Sequence, residues 1–533
     1  MKKTYKTIAG GFLAVTMLAA CSSDPEETSS DSSATEGSES SSEGGDAVLA
    51  MGSDAVDLDP HGSNDTSSSH IRTNIYERLV MHDENTELQP HLAEEFEQID
   101  DLTWEFKLVE GVTFHNGEEF TADDVKATLE RAVAPETANP RVFLYEMIED
   151  VEVVDDYTVH ITTEYPFAPL PAHLAHDGGG MMSAVAIEEE ENGERNLDID
   201  PIGTGPFELD NWDQGNEVVL SNYADYWGGS VPLDSATYSV VSEQLTRIGM
   251  LETNEAHIAD DVDPTNAGTL ETMDGVSLST VESLRLDYLG MNNEVEPFDN
   301  VDVRRAITKA IDKSTIIEGI FQGYGTEAVG PVNPLVNGYS DGIEPLEYDL
   351  EEAQSIMDEA GYEDGFSVSL WYEEGDQVSN QLAVVIQDQL SEINIDVDLQ
   401  TVEWGSLLDA TANGEHDMVL LGWTTVTADA DYALYSVFHS DMHGGSGNRT
   451  FYTNEDVNEL LEEGRRSTDE DERMDIYKEA QQIIIDEATM VPTVHDDFRV
   501  GVSDTIEGFI HYPNGVFDLR EARIVGDGVE SGY

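Results

Sequence analysis

One cysteine, Cys21, is found in this chain of 533 residues. A disulfide within the chain is therefore impossible, and a metal site built from several cysteines is excluded as well. Buried apolar side chains and hydrogen bonds must hold the fold together without covalent cross-links. Residues 47–533 are too many for one compact core, so we expect two or three lobes.

The position of Cys21 predicts a modification. Three lysines precede an apolar run from Ile8 to Ala20, and this pattern predicts a secretory signal peptide over residues 1–20. The run is shorter than the roughly 20 apolar residues that a membrane-spanning helix needs. It ends in Leu-Ala-Ala-Cys, which resembles the bacterial lipobox, whose cysteine is lipidated. We therefore expect a lipid anchor on Cys21; the alternative is a free thiol beside a cleaved signal.

The residues after Cys21 are almost entirely Ser, Glu, Asp, Thr and Gly, up to Asp46. This composition lacks the apolar side chains that could offset the entropy lost on ordering. We predict that residues 21–46 comprise the lipidated cysteine and a flexible acidic linker. The expected location is the cell membrane, held by the lipid and facing the outside.

The chain carries 112 acidic and 24 basic residues, a net charge of −88. Nucleic acid is excluded as a partner, because its phosphates would be repelled. Solubility alone does not require so much charge. At molar salt the Debye length falls to about 3 Å, which screens such self-repulsion. We infer a halophilic source, which concerns habitat and not activity.

Two kinds of apolar periodicity alternate along the chain. Apolar residues at every second position predict strands at residues 104–108, 157–161 and 395–399, and a continuous apolar run predicts a buried strand at Met418–Trp423. Helical spacing follows Thr121 and recurs at residues 353–357, 382–390, 457–461 and 474–485. These patterns predict a mixed α/β protein of several lobes.

Six blocks in order carry a resemblance to a known family: Leu58-Asp59-Pro60 with Asn74–Glu77; Leu102–Glu130; Pro201–Leu209 with Tyr226–Gly229; Asn292 to Lys313; Tyr348-Asp349 with Glu359–Tyr362; and Leu421–Trp423 with Phe438–Ser440. In these blocks the chain resembles the family 5 extracellular solute-binding proteins of ABC importers. That group contains oligopeptide-, dipeptide-, glutathione- and nickel-binding proteins. The resemblance covers residues 48–519.

The resemblance implies a two-lobe flytrap of the periplasmic-binding-protein type, α/β in class, with mixed sheets flanked by helices. Lobe I is expected at residues 47–76, 201–290 and 500–533, an extra subdomain at 77–200, and lobe II at 291–499. A small peptide-like solute would be buried between closing lobes and delivered to the transmembrane permease of the importer. The family implies a monomer without catalysis, cofactor or metal.

Two segments are implied to line the cleft. One follows the first block and contains Asn64, Asp65, Thr66 and Ser67, which would pair with the ligand backbone like an added strand. Without the resemblance, a polar surface loop is the better interpretation. The other segment follows the buried strand, and its candidate contacts are Trp423, Thr424, Thr425, Val426, Thr427, Asp429 and Asp431.

Val426 stands where peptide-binding relatives place an aspartate that holds the ligand ammonium. Asp429 could reach the same ammonium, or both it and Asp431 could cap the helix that follows. The departure at Val426 moves the expected ligand toward glutathione or a related small peptide.

Cations for a ligand carboxylate are scarce, because no Lys or Arg lies between Lys313 and Arg449. Arg72 and Arg141, with Tyr145 close to the latter, are the candidates, although either arginine could simply pair with a neighbouring acid. Asn292 could bind ligand or cap a turn.

Three other functions compete with peptide capture. A nickel or metal-chelate protein of the same fold could use the histidine pairs His439/His443 or His173/His176. A secreted hydrolase is disfavoured, because no nucleophile elbow, His-Glu-x-x-His motif or phosphate loop is present. A lipoprotein that senses peptides without transporting them would share all of these sequence features.

Overall fold

The computed structural model describes residues 44–445 and 447–526. The predicted signal peptide, Cys21 and the linker up to residue 43 lie outside the described residues. The first strand begins at Asp46, where the linker was predicted to end. Among the described helices, none combines the length and the apolar character needed to span a bilayer.

The first lobe is built on a seven-stranded mixed sheet. Its strands, in spatial order, are Val276–Glu282, Asp497–Ser503, Ile258–Ala259, Asp46–Met51, Ser235–Val240, Glu217–Asn222 and Phe207–Asp213. Asp46–Met51 is parallel to both of its neighbours and lies in the middle of the sheet. Its leucine, alanines and methionine are buried, and cores lie on both faces of the sheet.

The second lobe is built on a six-stranded sheet. Its strands, in spatial order, are Thr326–Glu327, Met490–His495, Arg285–Met291, Met418–Thr424, Phe366–Glu373 and Ile395–Val402. Met418 and Leu420 pack into one core, while Val419 and Leu421 pack into the core on the opposite face. The continuous apolar run of this strand follows from burial on both faces.

Residues 79–181 form a third unit around an antiparallel sheet. Its strands, in spatial order, are Ala93–Gln98, Thr103–Leu108, Thr158–Thr163 and Ile148–Asp155. The helix Ala122–Val133 packs on this sheet, and the carboxylate of Asp124 accepts a hydrogen bond of 2.8 Å from the backbone of Thr121. The predicted strands and this helix start are confirmed.

The remaining elements are helices and short strand pairs. The other helices are Thr66–Ile75, Leu170–Leu174, Ala184–Glu191, Gln244–Glu252, Pro264–Leu270, Val301–Ala310, Lys313–Gly319, Leu350–Glu359, Gln377–Ser391, Trp404–Ala412, Ala430–Phe438, Glu455–Arg466 and Glu470–Asp486. The short pairs are Val80–His82 with Leu88–Pro90, Ile506–Glu507 with Arg523–Ile524, and Ile510–His511 with Phe517–Asp518.

The main chain passes between the two large sheets at two points. One crossing lies between Glu282 and Arg285, and the other lies at Asp496. Both fall a few residues before the boundaries predicted at 290/291 and 499/500, because Arg285–Met291 pairs within the second sheet and Asp497–Ser503 within the first. The hydroxyl of Ser283 donates to the backbone carbonyl of Asp496, so the crossings lie side by side.

The third unit touches the second lobe directly. The rings of Phe143 and Tyr432 stack with their centroids 6.0 Å apart. The guanidinium of Arg465 lies 5.3 Å from the ring centre of Phe167. The backbone carbonyl of Arg465 accepts a hydrogen bond from the backbone amide of Ala168. These contacts join the third unit to the second lobe.

A buried carboxylate joins the third unit to the first lobe. Glu77 is 2% exposed and accepts hydrogen bonds from Thr204, Tyr226 and Trp227 at 2.7–2.8 Å. His91 Nε2 lies 3.0 Å from its Oε1. Burial opposes ionisation of Glu77, but His91 and the hydrogen bonds outweigh it and lower the pKa of Glu77 to about 2.

We predict that Glu77→Ala lowers the free energy of unfolding by roughly 3–5 kcal/mol, the range for removing one partner of a buried charged group. Because the folded-state pKa is depressed, this contribution is present above pH 4.5 and is lost as the pH falls toward 2. Chemical unfolding at high salt measures it. Glu84→Ala, on the exposed surface, is the control, and an equal loss in both variants would contradict the assignment.

Candidate functional site

A cavity of about 730 Å³ lies between the two large sheets. The first lobe contributes the start of the helix Thr66–Ile75 and residues near the ends of four strands. The second lobe contributes the strand residues 285–288 and 420–422 and the start of the helix Gln377–Ser391. The volume falls in the range of small-molecule sites.

The cavity wall is acidic. Eight carboxylates line it, against three arginines: Asp260, Asp261, Asp263, Asp287, Glu373, Asp376, Asp496 and Asp497, with Arg247, Arg285 and Arg499. The wall therefore carries an excess of five formal negative charges. Such an excess favours a ligand with a positive group.

The three arginines of the wall are engaged by the protein itself. Arg285 lies 2.6 Å from Asp287, and Arg499 binds both carboxylate oxygens of Asp496 at 2.7 and 2.9 Å. Arg247 donates to backbone carbonyls, among them that of Asp260 at 3.0 Å. None of the three therefore neutralises the remaining carboxylates.

Asp260 is the most strongly perturbed acid of the wall. Burial raises the pKa of Asp260 to about 6, although Arg247 acts in the opposite direction. His70 Nε2 lies 3.9 Å from its carboxylate, and burial lowers the pKa of His70 to about 3. This histidine is therefore neutral at pH 7 and offers no counter-charge, which leaves Asp260 free to pair with a ligand cation.

Of the first predicted segment, Thr66 and Ser67 line the cavity. Asn64 is exposed outside it. Asp65 caps the helix that follows, because its carboxylate accepts from the backbone and hydroxyl of Ser68 at 2.8 Å. Of the four residues predicted in this loop, Thr66 and Ser67 therefore lie at the cavity, whereas Asn64 and Asp65 do not.

The second predicted segment begins just beyond the cavity wall, which ends at Gly422. Trp423 packs on Tyr432 with ring centroids 5.1 Å apart. Thr424 ends the strand, and the side chains of Thr425 and Thr427 are buried. Val426 is half-buried in the turn that leads to the next helix.

Both acids of this segment already have cationic partners. Asp429 caps the helix Ala430–Phe438 through the backbone of Asp431 and forms an ion pair of 2.5 Å with Arg473. Asp431 accepts two hydrogen bonds from Arg465, at 2.9 and 3.1 Å. The helix-capping alternative therefore describes Asp429 in this structure.

The two arginines that were predicted to meet a ligand carboxylate, Arg72 and Arg141, share the carboxylate of Asp177. Arg72 lies 2.8 Å and Arg141 lies 2.5 Å from the oxygens of Asp177. Each thus pairs with an acid, as the alternative interpretation held. Tyr145 is fully buried beside them, and its hydroxyl has no hydrogen-bond partner among the described residues.

Asn292 supports a loop inside the second lobe. Its amide donates to the carbonyls of Gly414 and His416 at 3.0 and 3.2 Å. It is 2% exposed and lies outside the cavity wall. The turn-supporting alternative matches these contacts.

The histidine pairs do not converge on a metal geometry. The helix Ala430–Phe438 ends before His439, and His443 is hydrogen-bonded to the carbonyl of Tyr452. Among the described residues, the one group of three close metal-ligating side chains is Asp59, Glu190 and Asp198. Arg131 already lies 2.5 and 2.6 Å from the first two.

Sequence reasoning missed most of the cavity wall. Asp260, Asp287 and Asp497 come from three distant segments that only the folded chain brings together. The alternation Arg285-Leu286-Asp287-Tyr288 was a usable signal, since it places the two charged residues on one face of a strand.

A cavity between two lobes that are joined by paired crossings is the geometry of a protein that captures a small molecule. Comparison with known proteins agrees. The protein-family model described as bacterial extracellular solute-binding proteins, family 5 Middle, matches residues 87–444 of this chain. The chain belongs to this family, and the predicted α/β flytrap fold is confirmed.

Three relatives illustrate the similarity. The glutathione-binding protein GsiB of Shigella dysenteriae is 33% identical over 485 residues, which cover 90% of this chain and 94% of that protein. The structure of the periplasmic binding protein DppA from Helicobacter pylori in complex with the peptide STSA is 30% identical, with a TM-score of 0.80 over 91% of this chain and 98% of that one. A Pseudoalteromonas dipeptide binding protein in complex with Met-Leu is 26% identical, with a TM-score of 0.80 over 90% and 100%.

We predict that Asp429→Asn destabilises the protein, because the buried Arg473 loses its buried counter-charge and keeps only the exposed Glu470 at 3.9 Å; the expected loss is roughly 3–5 kcal/mol. The affinity for amine-bearing peptides should not change, since Asp429 lies outside the cavity wall. Thermal unfolding and calorimetric titration measure the two effects. Asp441→Asn, whose carboxylate is 77% exposed, is the control. Unchanged stability with a loss of ~1.5–3 kcal/mol in amine binding would return Asp429 to ligand recognition.

Proposed function

We propose that this protein captures a small peptide-like solute between its lobes and delivers it to the permease of an ABC importer. The observation that carries this proposal is the acidic cavity between the two large sheets. Its volume suits a dipeptide or tripeptide, and its excess of carboxylates suits an α-ammonium group. Binding and release require no bond to be made or broken, so the protein acts without catalysis.

Within the class of small peptides, glutathione is the solute we favour. The absence of an acid at position 426 separates the chain from relatives that hold the peptide ammonium there, and the ammonium would instead meet the acidic wall near Asp260. Support comes from the relative GsiB, a glutathione-binding protein that is 33% identical to this chain. Dipeptides are the second member of the same class, because relatives of similar fold bind them.

The expected setting is the outer face of the cell membrane. Cys21 would carry a lipid anchor, and the acidic segment after it would let a monomeric binding protein reach the permease. The family consists of extracellular solute-binding proteins, which supports this location. The anchor is tested by mass spectrometry of the intact protein, with Cys21→Ala as the unmodified control.

Native mass spectrometry of the purified protein, together with thermal shifts in high salt, tests the capture function. We expect glutathione or the dipeptide Met-Leu to raise the melting temperature in a concentration-dependent manner, because ligand that binds only the folded state stabilises it. Ni(II) and Ni(II)–histidine are the comparison ligands. A shift with nickel alone, or hydrolysis of the peptide, would overturn the proposal.

We predict that the affinity for the amine-bearing peptide falls as the pH drops below 6. The raised pKa of Asp260 favours its protonated form below about pH 6, and an ammonium requires the ionised form. Binding must then release a proton, which costs up to about tenfold in affinity per pH unit. Calorimetry at pH 7.5 and pH 5 should show weakening of about tenfold.

Asp260→Asn should flatten this pH dependence, while Asp210→Asn, on the exposed surface, should leave it intact. A wild-type affinity that is constant from pH 7.5 to 5 would contradict the role of Asp260.

A further inference from the structure

A lysine of the second lobe, Lys313, is buried without a carboxylate partner. The residue begins the helix Lys313–Gly319 and is 6% exposed. Its ammonium donates one hydrogen bond, of 2.7 Å, to the carbonyl of Ala328. The two further N–H groups of the ammonium have no acceptor among the described residues, and Lys313 forms no ion pair with any of them. A buried charge in this situation is costly unless another group compensates it.

The other described lysines have a different environment. Lys107, Lys126 and Lys309 each lie within 3.0 Å of a glutamate carboxylate, and Lys478 is exposed. In the part of the chain that the structure describes, Lys313 is therefore the one lysine that is both buried and unpaired. The chain has 112 acidic residues, so the lack of an acid beside this lysine is a specific feature of the site.

Lys313 lines a small cavity inside the second lobe. The cavity has a volume of about 20 Å³, which is room for one water molecule or one small ion. Among the described residues that line it, none is acidic; the others are Thr308, Val329, Pro331, Leu346, Ile484, Ile485, Thr489, Met490 and Pro492. The cavity shares no lining residue with the one between the lobes, so what it binds is independent of the proposed function.

A second polar group of this cavity also lacks a partner. Thr489 is 1% exposed, and its Oγ1 makes no hydrogen bond with any described residue. The hydroxyl of Thr308, by contrast, donates to the carbonyl of Arg304 at 3.0 Å. An ammonium with spare N–H groups and a hydroxyl with a free O–H thus border the same cavity. Two such donors, one of them charged, are suited to a negatively charged acceptor.

The charge of Lys313 decides between a neutral and an anionic occupant. Burial lowers the pKa of Lys313 to about 8, and the exposed Glu327 opposes this shift. The ammonium therefore keeps its charge at pH 7. A water molecule would accept a hydrogen bond from it but would leave the buried charge uncompensated. An anion accepts the hydrogen bonds and supplies the missing charge as well.

We propose that this cavity binds one small monovalent anion, chloride, between the ammonium of Lys313 and the hydroxyl of Thr489. The net charge of −88 repels anions at low salt, but at molar salt the Debye length falls to about 3 Å. The site therefore fills at molar rather than millimolar chloride. The stability of the protein then depends on which anion is present, and not only on the ionic strength.

Thermal unfolding at constant molar ionic strength tests the proposal, with chloride compared against the larger anion isethionate. For wild-type protein we expect chloride to raise the melting temperature on the order of a few degrees and the rise to level off, because a ligand that binds only the folded state stabilises it. Lys313→Met should lose this chloride-specific rise. Thr489→Val, which keeps the shape of the side chain without the hydroxyl, should reduce it.

Lys309→Met is the matched control, since this lysine lies four residues earlier and pairs with Glu352 at 2.9 Å. It should keep the full chloride-specific rise, because effects of the anion on the protein surface act on all variants alike. An equal rise in wild type and in Lys313→Met would overturn the proposal.

Diffraction locates the ion even if Lys313→Met fails to fold. Wild-type crystals grown in bromide, which has the charge of chloride and a strong anomalous signal, should show an anomalous peak in contact with Lys313 Nζ and Thr489 Oγ1. Density for a water molecule at this position, without an anomalous peak, would also overturn the proposal.

Discussion

The paired crossings between the lobes are the constraint on which the rest of the structure depends. The chain leaves the first sheet after Glu282 and returns at Asp497, and the hydroxyl of Ser283 joins the two passages at the carbonyl of Asp496. The carboxylate of Asp496 is held by Arg499, whose Nε also donates to the carbonyl of Val262. Two short connections fixed side by side form the kind of hinge about which two lobes can close on a cavity between them.

A different set of contacts, outside the cavity, joins the third unit to the second lobe. Aromatic rings and Arg465 join the third unit to the second lobe, whereas the charged side chains that line the cavity are mostly carboxylates. Apolar contacts of this kind can stabilise the closed state of the protein whichever molecule is bound. Charges inside the cavity then decide which occupant is retained, because an unpaired carboxylate or guanidinium is costly once water is excluded.

The sequence predicted regular elements far better than the cavity. The alternation at residues 104–108 and the start at Thr121 are local patterns, and both were correct. The ion pair between Asp429 and Arg473 joins residues 44 positions apart, so no local sequence pattern predicts it. For the same reason, the acids of the wall come together only when distant segments of the chain meet.

High salt screens the exposed charge pairs of this molecule much more strongly than the buried ones. Surface pairs such as Lys107 with Glu95, whose side chains are 43% and 68% exposed, are largely screened at molar ionic strength. Buried groups such as Asp429 and Arg473, at 5% and 3%, are screened far less. A protein that works in concentrated salt can therefore carry many surface acids without strong repulsion, yet still recognise a charged solute. Under such salt, recognition of a charged solute relies on charges that lie between the lobes, such as those of the acidic wall.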